Sequence, residues 1–172
     1  IGNLTSATDP LGNITTMEHD SAGNVIRQTD AEGRVTDFVY DSMNRLNQVT
    51  DAAGGVTNYS YDLEGNLITV TDPRGEQTLF EYDEMNRLIS KTNPLGLTES
   101  FAYDLNGNLA VQTNHNGEKI EYGYDAADQL VLKRLPGNVL TFFEYDEVGN
   151  TISIKNPDSS ITRTFDAGNR IT

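Results

Sequence analysis

The chain has 172 residues, of which 36% are hydrophobic and 22% are charged, a composition compatible with a folded protein. Its formal net charge of −14 argues against nucleic acid and membrane insertion, because phosphate backbones and anionic lipid surfaces repel an acidic protein. The sequence has no cysteine, which excludes disulfides, thiolate zinc sites and cysteine nucleophiles, and it has no apolar run of about 18 residues that would predict a transmembrane helix.

A period of 21 residues runs along the chain, and such a period decides the fold class before any local feature does. One position of the repeat is His19 in the first unit and a tyrosine in each of the six units that follow. The tyrosines are Tyr40, Tyr61, Tyr82, Tyr103, Tyr124 and Tyr145. The residue after this position is always aspartate, namely Asp20, Asp41, Asp62, Asp83, Asp104, Asp125 and Asp146. We therefore predict a single array of about eight units over residues 1–172, and we expect it to be a fragment of a longer chain.

The unit from 67 to 86 illustrates the elements of each repeat. Leu67–Thr71 is rich in β-branched residues and predicts a strand. Asp72–Gly75 has aspartate, proline and glycine where a type I turn prefers them. Gln77–Tyr82 predicts a second strand with its even-numbered residues on one face, and Asp83–Asn86 turns the chain again. Turn signals about ten residues apart leave no room for helices, so each unit is a β-hairpin.

The last slot of the loop after each tyrosine holds only glycine, asparagine or aspartate. These residue types tolerate positive φ best, so we predict a left-handed residue there. The residues are Gly23, Asn44, Gly65, Asn86, Gly107, Asp128 and Gly149. Alternation of Gly-Asn with Asn-Arg in these loops adds a weaker period of 42 residues. Toward the C-terminus Gly137 stands one place out of its column, and the loop Asp166–Asn169 is interpreted as one residue short.

About sixteen strands at roughly 4.8 Å each would make a sheet on the order of 75 Å wide. Open twisted sheets rarely exceed about ten strands without curling. We therefore predict an all-β fold in which tandem 21-residue hairpins form a long curled antiparallel sheet. A β-propeller with 42-residue blades is the rival fold, but the chain lacks the tryptophan-aspartate signature of the commonest propeller repeats.

Residues 61–67, which read YDLEGNL, and their copies resemble the YD repeat, also called the RHS repeat. Members of that family include bacterial RHS polymorphic toxins, the C component of insecticidal toxin complexes, wall-associated proteins and teneurins. The resemblance implies a section of an RHS-type β-shell, which in the toxins encloses a C-terminal effector domain. It also implies a secreted or cell-surface location and, as partners, the plug, core and effector parts of the same longer chain.

Residues that suggest chemistry have a simpler interpretation within the repeat. His19 and His115 replace a column tyrosine and a column proline. Asp9–Gly12 and Asp72–Gly75 have the letters of the family's self-cleavage motif, yet they stand in the ordinary turn column. The aspartate column raises the possibility of calcium, but aspartates of neighbouring units lie two strands apart and cannot share one ion. We expect these aspartates to bond to their own turn backbone and predict no enzyme activity and no cofactor.

The site residues are therefore expected to be structural: the six column tyrosines, the aspartates that follow them, and Gly65, Gly107 and Gly149. The leading hypothesis is a non-catalytic scaffold that encloses or displays an effector domain. One alternative is a carbohydrate- or receptor-binding adhesin, in which tyrosine ladders stack against sugars at the cell surface. The other is a self-assembling extracellular fibre, because uncapped sheet edges can pair with one another.

Overall fold

The structure is a computed structural model that describes residues 4–172 of the chain. In this range there are sixteen strands and one 3-10 turn, Pro136–Asn138. The strands are β1 (Ser6–Thr8), β2 (Ile14–His19), β3 (Val25–Thr29), β4 (Val35–Tyr40), β5 (Leu46–Thr50), β6 (Val56–Tyr61), β7 (Leu67–Thr71), β8 (Gln77–Tyr82), β9 (Leu88–Thr92), β10 (Thr98–Tyr103), β11 (Leu109–Thr113), β12 (Lys119–Tyr124), β13 (Leu130–Leu135), β14 (Val139–Tyr145), β15 (Thr151–Lys155) and β16 (Ser160–Thr162). None of the described residues forms a helix with the length and apolar character needed to cross a membrane. The predicted all-β fold class is confirmed.

Two compact units make up the chain, and each is a meander of antiparallel strands. The first contains residues 4–86 and 92–95 of the described range, and the second contains residues 87–91 and 96–172. In the first unit each strand from β1 to β7 pairs with the strand that follows it, so that the series ends with the β7–β8 pair. In the second unit the same holds from β10 to β15, and the series ends with the β15–β16 pair. This nearest-neighbour pairing is the arrangement that tandem hairpins produce.

Both loops of a repeat have the same backbone geometry. In the loop after Tyr61, the Asp62 amide donates to the Asn66 carbonyl at 3.0 Å, and the Gly65 amide donates to the Asp62 carbonyl at 3.3 Å. The loop that begins at Asp72 makes the same two bonds, each of 2.9 Å, to Glu76 and from Gly75. A type I turn followed by one left-handed residue produces this pattern.

The left-handed residue is present in every loop that follows a column tyrosine or His19. The φ values are 94° at Gly23, 59° at Asn44, 96° at Gly65, 60° at Asn86, 95° at Gly107, 58° at Asp128 and 90° at Gly149. All seven predicted positions are confirmed. A β-branched residue is strongly disfavoured at such φ values, which explains why none stands in this column.

A β-bulge lies next to the loops that begin at Asp20, Asp41, Asp62, Asp104, Asp125 and Asp146. Tyr61 is opposite Leu67, whereas Ser60 is opposite Thr69, so Ile68 is an extra residue on β7. The same shift occurs at the ends of β2, β4, β10, β12 and β14. A bulge bends the strand that carries it and locally disrupts the ladder.

The ladder on the other side of the bulged strand is short as a result. Pairing of β7 with β8 begins at Thr71 and Gln77 and stops at Thr69 and Leu79. Leu67, the first residue of β7, therefore lies beyond the ladder to β8. The pairs β3–β4, β5–β6, β11–β12 and β13–β14 also stop short of the first residue of the bulged strand.

Burial alternates along β2, β8 and β10, whereas β7 and β11 are half-buried along their whole length. On β8 the side chains of Thr78, Phe80 and Tyr82 are half-buried, while Leu79 and Glu81 are exposed, which confirms the predicted alternation. No hydrophobic residue among 4–172 is fully buried. The surface area is 11571 Å², whereas two separate compact units of half this mass would together expose about 10,000 Å². Each unit is accordingly a sheet without a second layer packed on it.

The irregular C-terminal loops differ from the sequence prediction. The loop that begins at Asp166 is complete, because the Asp166 amide donates to the Arg170 carbonyl at 2.9 Å and Asn169 is left-handed. The missing residue lies one loop earlier, where the Asn156 amide donates to the Ser159 carbonyl at 2.9 Å. The prediction of a short Asp166 loop was wrong, since spacing alone does not show which of two successive loops lost the residue.

The displaced Gly137 leaves the loop closure intact. Both Gly137 and the following Asn138 have positive φ, of 78° and 63°. Arg134 pairs with Leu140 as Thr71 does with Gln77 in a regular loop, and Leu135 and Val139, which take the places of Asp72 and Glu76, are paired as well. The shift of one column therefore changes the local turn but not the register of β13 with β14.

Candidate functional site

The predicted site residues lie along one edge in each unit, which we call the tyrosine edge. Alternate loops of a meander emerge on the same side, so the loops that begin at Asp20, Asp41, Asp62 and Asp83 share this edge in the first unit. In the second unit the loops are those that begin at Asp104, Asp125, Asp146 and Asp166. Six of these eight loops follow a strand that ends in a tyrosine, namely Tyr40, Tyr61, Tyr82, Tyr103, Tyr124 and Tyr145.

The column aspartate organises its own loop. Oδ1 of Asp41 accepts the amide N–H of Met43 at 2.9 Å and that of Arg45 at 3.0 Å, and Oδ2 accepts the Arg45 Nε at 2.8 Å. Asp62 bonds in the same way to the amide and side chain of Asn66 at 2.7 and 2.9 Å. The expectation that these aspartates bond to their own turn is confirmed.

These hydrogen bonds favour the charged carboxylate. The backbone N–H of Arg45 is the largest cause that lowers the pKa of Asp41, and the side-chain amide of Asn66 is the largest that lowers the pKa of Asp62. Hydrogen bonds likewise lower the pKa values of Asp20, Asp146 and Asp166. Each carboxylate is thereby committed to its loop, and no group of three acidic or histidine side chains among the described residues converges on a common metal position.

The tyrosine hydroxyl makes a contact that the sequence reasoning missed. Tyr82 donates a hydrogen bond of 3.0 Å to the carbonyl of Leu67, fifteen residues earlier. The same bond joins Tyr40 to Val25, Tyr61 to Leu46, Tyr103 to Leu88, Tyr124 to Leu109 and Tyr145 to Leu130, at 2.8 to 3.1 Å. A signal for it is present in the sequence, because this column is tyrosine in all six units from 40 to 145, whereas the aromatic column two places earlier mixes phenylalanine with tyrosine.

The hydroxyl bond compensates for the short ladder. Leu67 lies beyond the last β7–β8 pair, and a buried carbonyl without a partner is costly. The Tyr82 hydroxyl reaches across from β8 and satisfies that carbonyl. Burial raises the pKa values of Tyr61, Tyr82 and Tyr124, so these hydroxyls keep their protons and remain donors at neutral pH.

Neighbouring loops on the tyrosine edge are joined by two alternating contacts. After a Gly-Asn loop, the asparagine Nδ2 donates to the left-handed residue of the next loop. These bonds join Asn24 to Asn44 at 3.1 Å, Asn66 to Asn86 at 2.8 Å, Asn108 to Asp128 at 2.7 Å and Asn150 to Asn169 at 3.2 Å. The left-handed residue of every second loop must therefore carry an acceptor side chain, which glycine does not have.

After an Asn-Arg loop, the arginine lies over the next tyrosine instead. The Arg45 guanidinium carbon is 4.7 Å from the centre of the Tyr61 ring, and Nη1 donates to the Asp62 carbonyl at 3.1 Å. Arg87 lies over Tyr103 at 4.6 Å. The left-handed residue beneath it is glycine, and a Cβ built on Gly107 would stand 3.7 Å from the Arg87 Nη1. The two contacts together explain the 42-residue period.

The two Asp-Pro-x-Gly segments have ordinary turn geometry. Asp72 Oδ1 accepts the amides of Arg74 and Glu76 at 2.8 and 2.9 Å, and Asp9 Oδ1 accepts those of Leu11 and Asn13 at 2.8 and 2.9 Å. Asp20, Asp51 and Asp125 make the same pair of bonds in their own loops, which confirms the interpretation of both segments as turns.

Known proteins match the chain at the level of family and fold. The RHS Repeat family model matches residues 1–27, 19–56, 61–98 and 103–138. The crystal structure of TcdB2-TccC3-Cdc42 superposes with a TM-score of 0.74 at 20% identity over 92% of the chain. TcdB2-TccC3-TEV gives 0.72 at 20% identity over 89%. TcdB2-TccC3 without the hypervariable C-terminal region gives 0.65 at 17% identity over 96%.

The chain is short beside these structures, since it spans 10% of the first two and 12% of the third. At such identities the likeness concerns the fold, which in each case is matched along nearly the whole of the present chain. No individually curated protein is significantly similar to it in sequence.

Proposed function

The chain belongs to the RHS repeat family, and we propose that it is a non-catalytic section of an RHS-repeat shell that encloses or displays an effector domain. In this proposal the whole protein is a secreted or surface toxin-like protein. The partners of the section are the remaining parts of the same longer chain, including plug, core and effector domains.

The main observation behind the proposal is that this short array superposes on about a tenth of a much longer chain. A TM-score of 0.74 over 92% of the present residues but 10% of TcdB2-TccC3-Cdc42 is expected if the array is one stretch of an extended β-structure. The repeats themselves support this, because within each unit consecutive strands pair with one another and the loops repeat one geometry. A repeat array grows by adding such units.

The absence of a core among the described residues points the same way. With no fully buried hydrophobic residue in 4–172, the sheets do not resemble the two packed layers of an ordinary globular domain. A single-layered sheet in a shell has to be stabilised by contacts between neighbouring strands and loops, because it has no hydrophobic core. The loop aspartates, the tyrosine hydroxyls and the inter-loop asparagines supply contacts of that kind.

The geometry of the tyrosine column favours packing over glycan binding. All six hydroxyls from Tyr40 to Tyr145 are bonded to backbone carbonyls, and arginines cover the rings of Tyr61 and Tyr103. An adhesin would need free rings and free hydroxyls to hold a sugar. We therefore rank the adhesin and the fibre below the shell.

Electron microscopy of the whole protein tests the proposal. The coding sequence is extended on both sides of the present chain, and the full product is imaged and treated with protease. We expect a hollow particle in which the C-terminal part of the chain is protected from cleavage. An extended filament whose length grows with concentration would support the fibre instead, and thermal stabilisation by oligosaccharides would support the adhesin.

A further inference from the structure

The clefts over the column tyrosines are of two kinds, those filled by an arginine of the preceding loop and those without one. The filled cleft lies over Tyr61, where Arg45 of the preceding loop stacks on the ring at 4.7 Å and bonds to the Asp62 carbonyl. In the cleft over Tyr103 the Arg87 guanidinium lies on the ring at 4.6 Å. In both cases the protein places a guanidinium group on a column tyrosine.

The cleft over Tyr82 has a shorter side chain in the arginine position. That position holds Asn66, whose Nδ2 is bonded to Asp62 and Asn86. A cleft of about 440 Å³ remains, lined by Tyr82, Asn66, Ile68, Asn86 and four carboxylates, those of Asp62, Glu64, Asp83 and Glu84. No cation of the described residues lies over the Tyr82 ring.

From this comparison we infer that the Tyr82 cleft binds a guanidinium group from outside, such as an arginine side chain of a partner polypeptide. The Tyr82 cleft has a tyrosine ring and a loop backbone equivalent to those that hold Arg45 in the Tyr61 cleft. A cation over a tyrosine face is attracted by the ring quadrupole, and a planar guanidinium also matches the geometry of carboxylates.

Two glutamates distinguish this cleft from the other open ones. Glu64 and Glu84 stand at the tips of the loops on either side, and neither side chain has an ion pair or hydrogen bond within residues 4–172. The corresponding loop tips are Ala22 and Ser42 beside Tyr40, Asn106 and Ala126 beside Tyr124, and Ala127 and Glu147 beside Tyr145, so none of these clefts has two charged tips. Charge therefore selects the Tyr82 cleft, independently of whether the shell proposal holds.

Nuclear magnetic resonance of the 172-residue chain tests this site. The probe is N-acetyl-arginine amide, and the control ligand is N-acetyl-citrulline amide, which has nearly the same shape without the charge. We expect saturable shifts of the backbone amides of residues 62–68 and 82–86 with the arginine probe and not with the citrulline probe. Equal responses to both ligands, no saturable response, or equal shifts around Tyr40 and Tyr124 would overturn the inference.

Two variants separate binding from folding. Glu64→Gln/Glu84→Gln removes the charge and should weaken binding by roughly tenfold. Asn66→Arg/Asn86→Gly recreates the filled cleft with residue types that the neighbouring loops already use, so it should fold and exclude the probe. Unchanged binding in either folded variant would show that the probe sits elsewhere. If the second variant does not fold, the glutamate variant decides alone.

Discussion

The Asn66 side-chain amide donates a hydrogen bond of 2.8 Å to the Oδ1 of Asn86, twenty residues further along the chain. This bond joins one loop of the tyrosine edge to the next and gives Asn86 a role that glycine cannot fill. Asn86 has a φ of 60°, a left-handed backbone conformation that is unfavourable for residues with a Cβ atom. The residue thus combines a backbone cost with a side-chain gain, which explains why asparagine and glycine alternate in its column.

Asn86→Gly should consequently stabilise the chain less than the same change at Asn138. Both asparagines are left-handed, with φ of 60° and 63°, so glycine relieves each of them. Of these two asparagines, Asn86 accepts an inter-loop bond and Asn138 accepts none among the described contacts, and loss of that bond should cost about 0.5–1.5 kcal/mol. Urea unfolding of the two variants measures the difference. Equal stabilisation by both changes would mean that the Asn66–Asn86 bond contributes nothing.

Gly65→Val should destabilise the chain by at least about 1–2 kcal/mol, because valine is strained at a φ of 96°. Gly65→Asn is the matched control, since asparagine occupies the same slot at Asn44 and Asn86 with positive φ. A Cβ at Gly65 meets no atom within 4 Å, so the expected loss arises from the backbone and not from a clash. Equal thermal unfolding midpoints for Gly65→Val and Gly65→Asn would contradict this prediction.

The strands and loops were predictable because their causes are local. Leu67–Thr71 and Gln77–Tyr82 carry β-branched and alternating patterns, and the observed strands have those bounds. The left-handed column was predictable because only glycine, asparagine and aspartate fit it. The contacts of the tyrosine edge could not be predicted in this way. The bond from Tyr82 to the Leu67 carbonyl and the bond from Asn66 to Asn86 both depend on how adjacent strands lie in the sheet.

The loop aspartates predict a loss of stability in acid. Hydrogen bonds lower the pKa values of Asp41 and Asp62 below the ordinary 3.8, so their contribution is fully present above that value. It is lost as the pH falls below about 4 and passes through the lower folded pKa values. Asp41→Asn/Asp62→Asn should be less stable than the parent at pH 6 and should approach it at pH 2. Urea midpoints across this range test the expectation, and a constant gap between the two proteins would contradict it.

Tyr82→Phe tests whether the hydroxyl of the column tyrosine has a structural role. It removes the bond to the Leu67 carbonyl but keeps the ring, and it should cost about 0.5–1.5 kcal/mol. Tyr59→Phe is the control, because Tyr59 belongs to the column in which Phe38 and Phe80 occur naturally. Urea unfolding should show a loss for Tyr82→Phe and almost none for Tyr59→Phe.

Tyr82→Ala extends the same test to the ring. The side chain is half-buried, so truncation should cost about 2–3 kcal/mol, at or below the lower end of large-to-small changes in cores. Because each repeat contacts mainly its neighbours, hydrogen exchange should accelerate first in β7 and β8. If Tyr82→Ala left the unfolding midpoint unchanged and abolished binding to an oligosaccharide that the parent binds, the column tyrosines would be a glycan-binding site of an adhesin and not part of a scaffold. A lower midpoint in a protein that binds no glycan would leave the tyrosines as the supports of a shell wall.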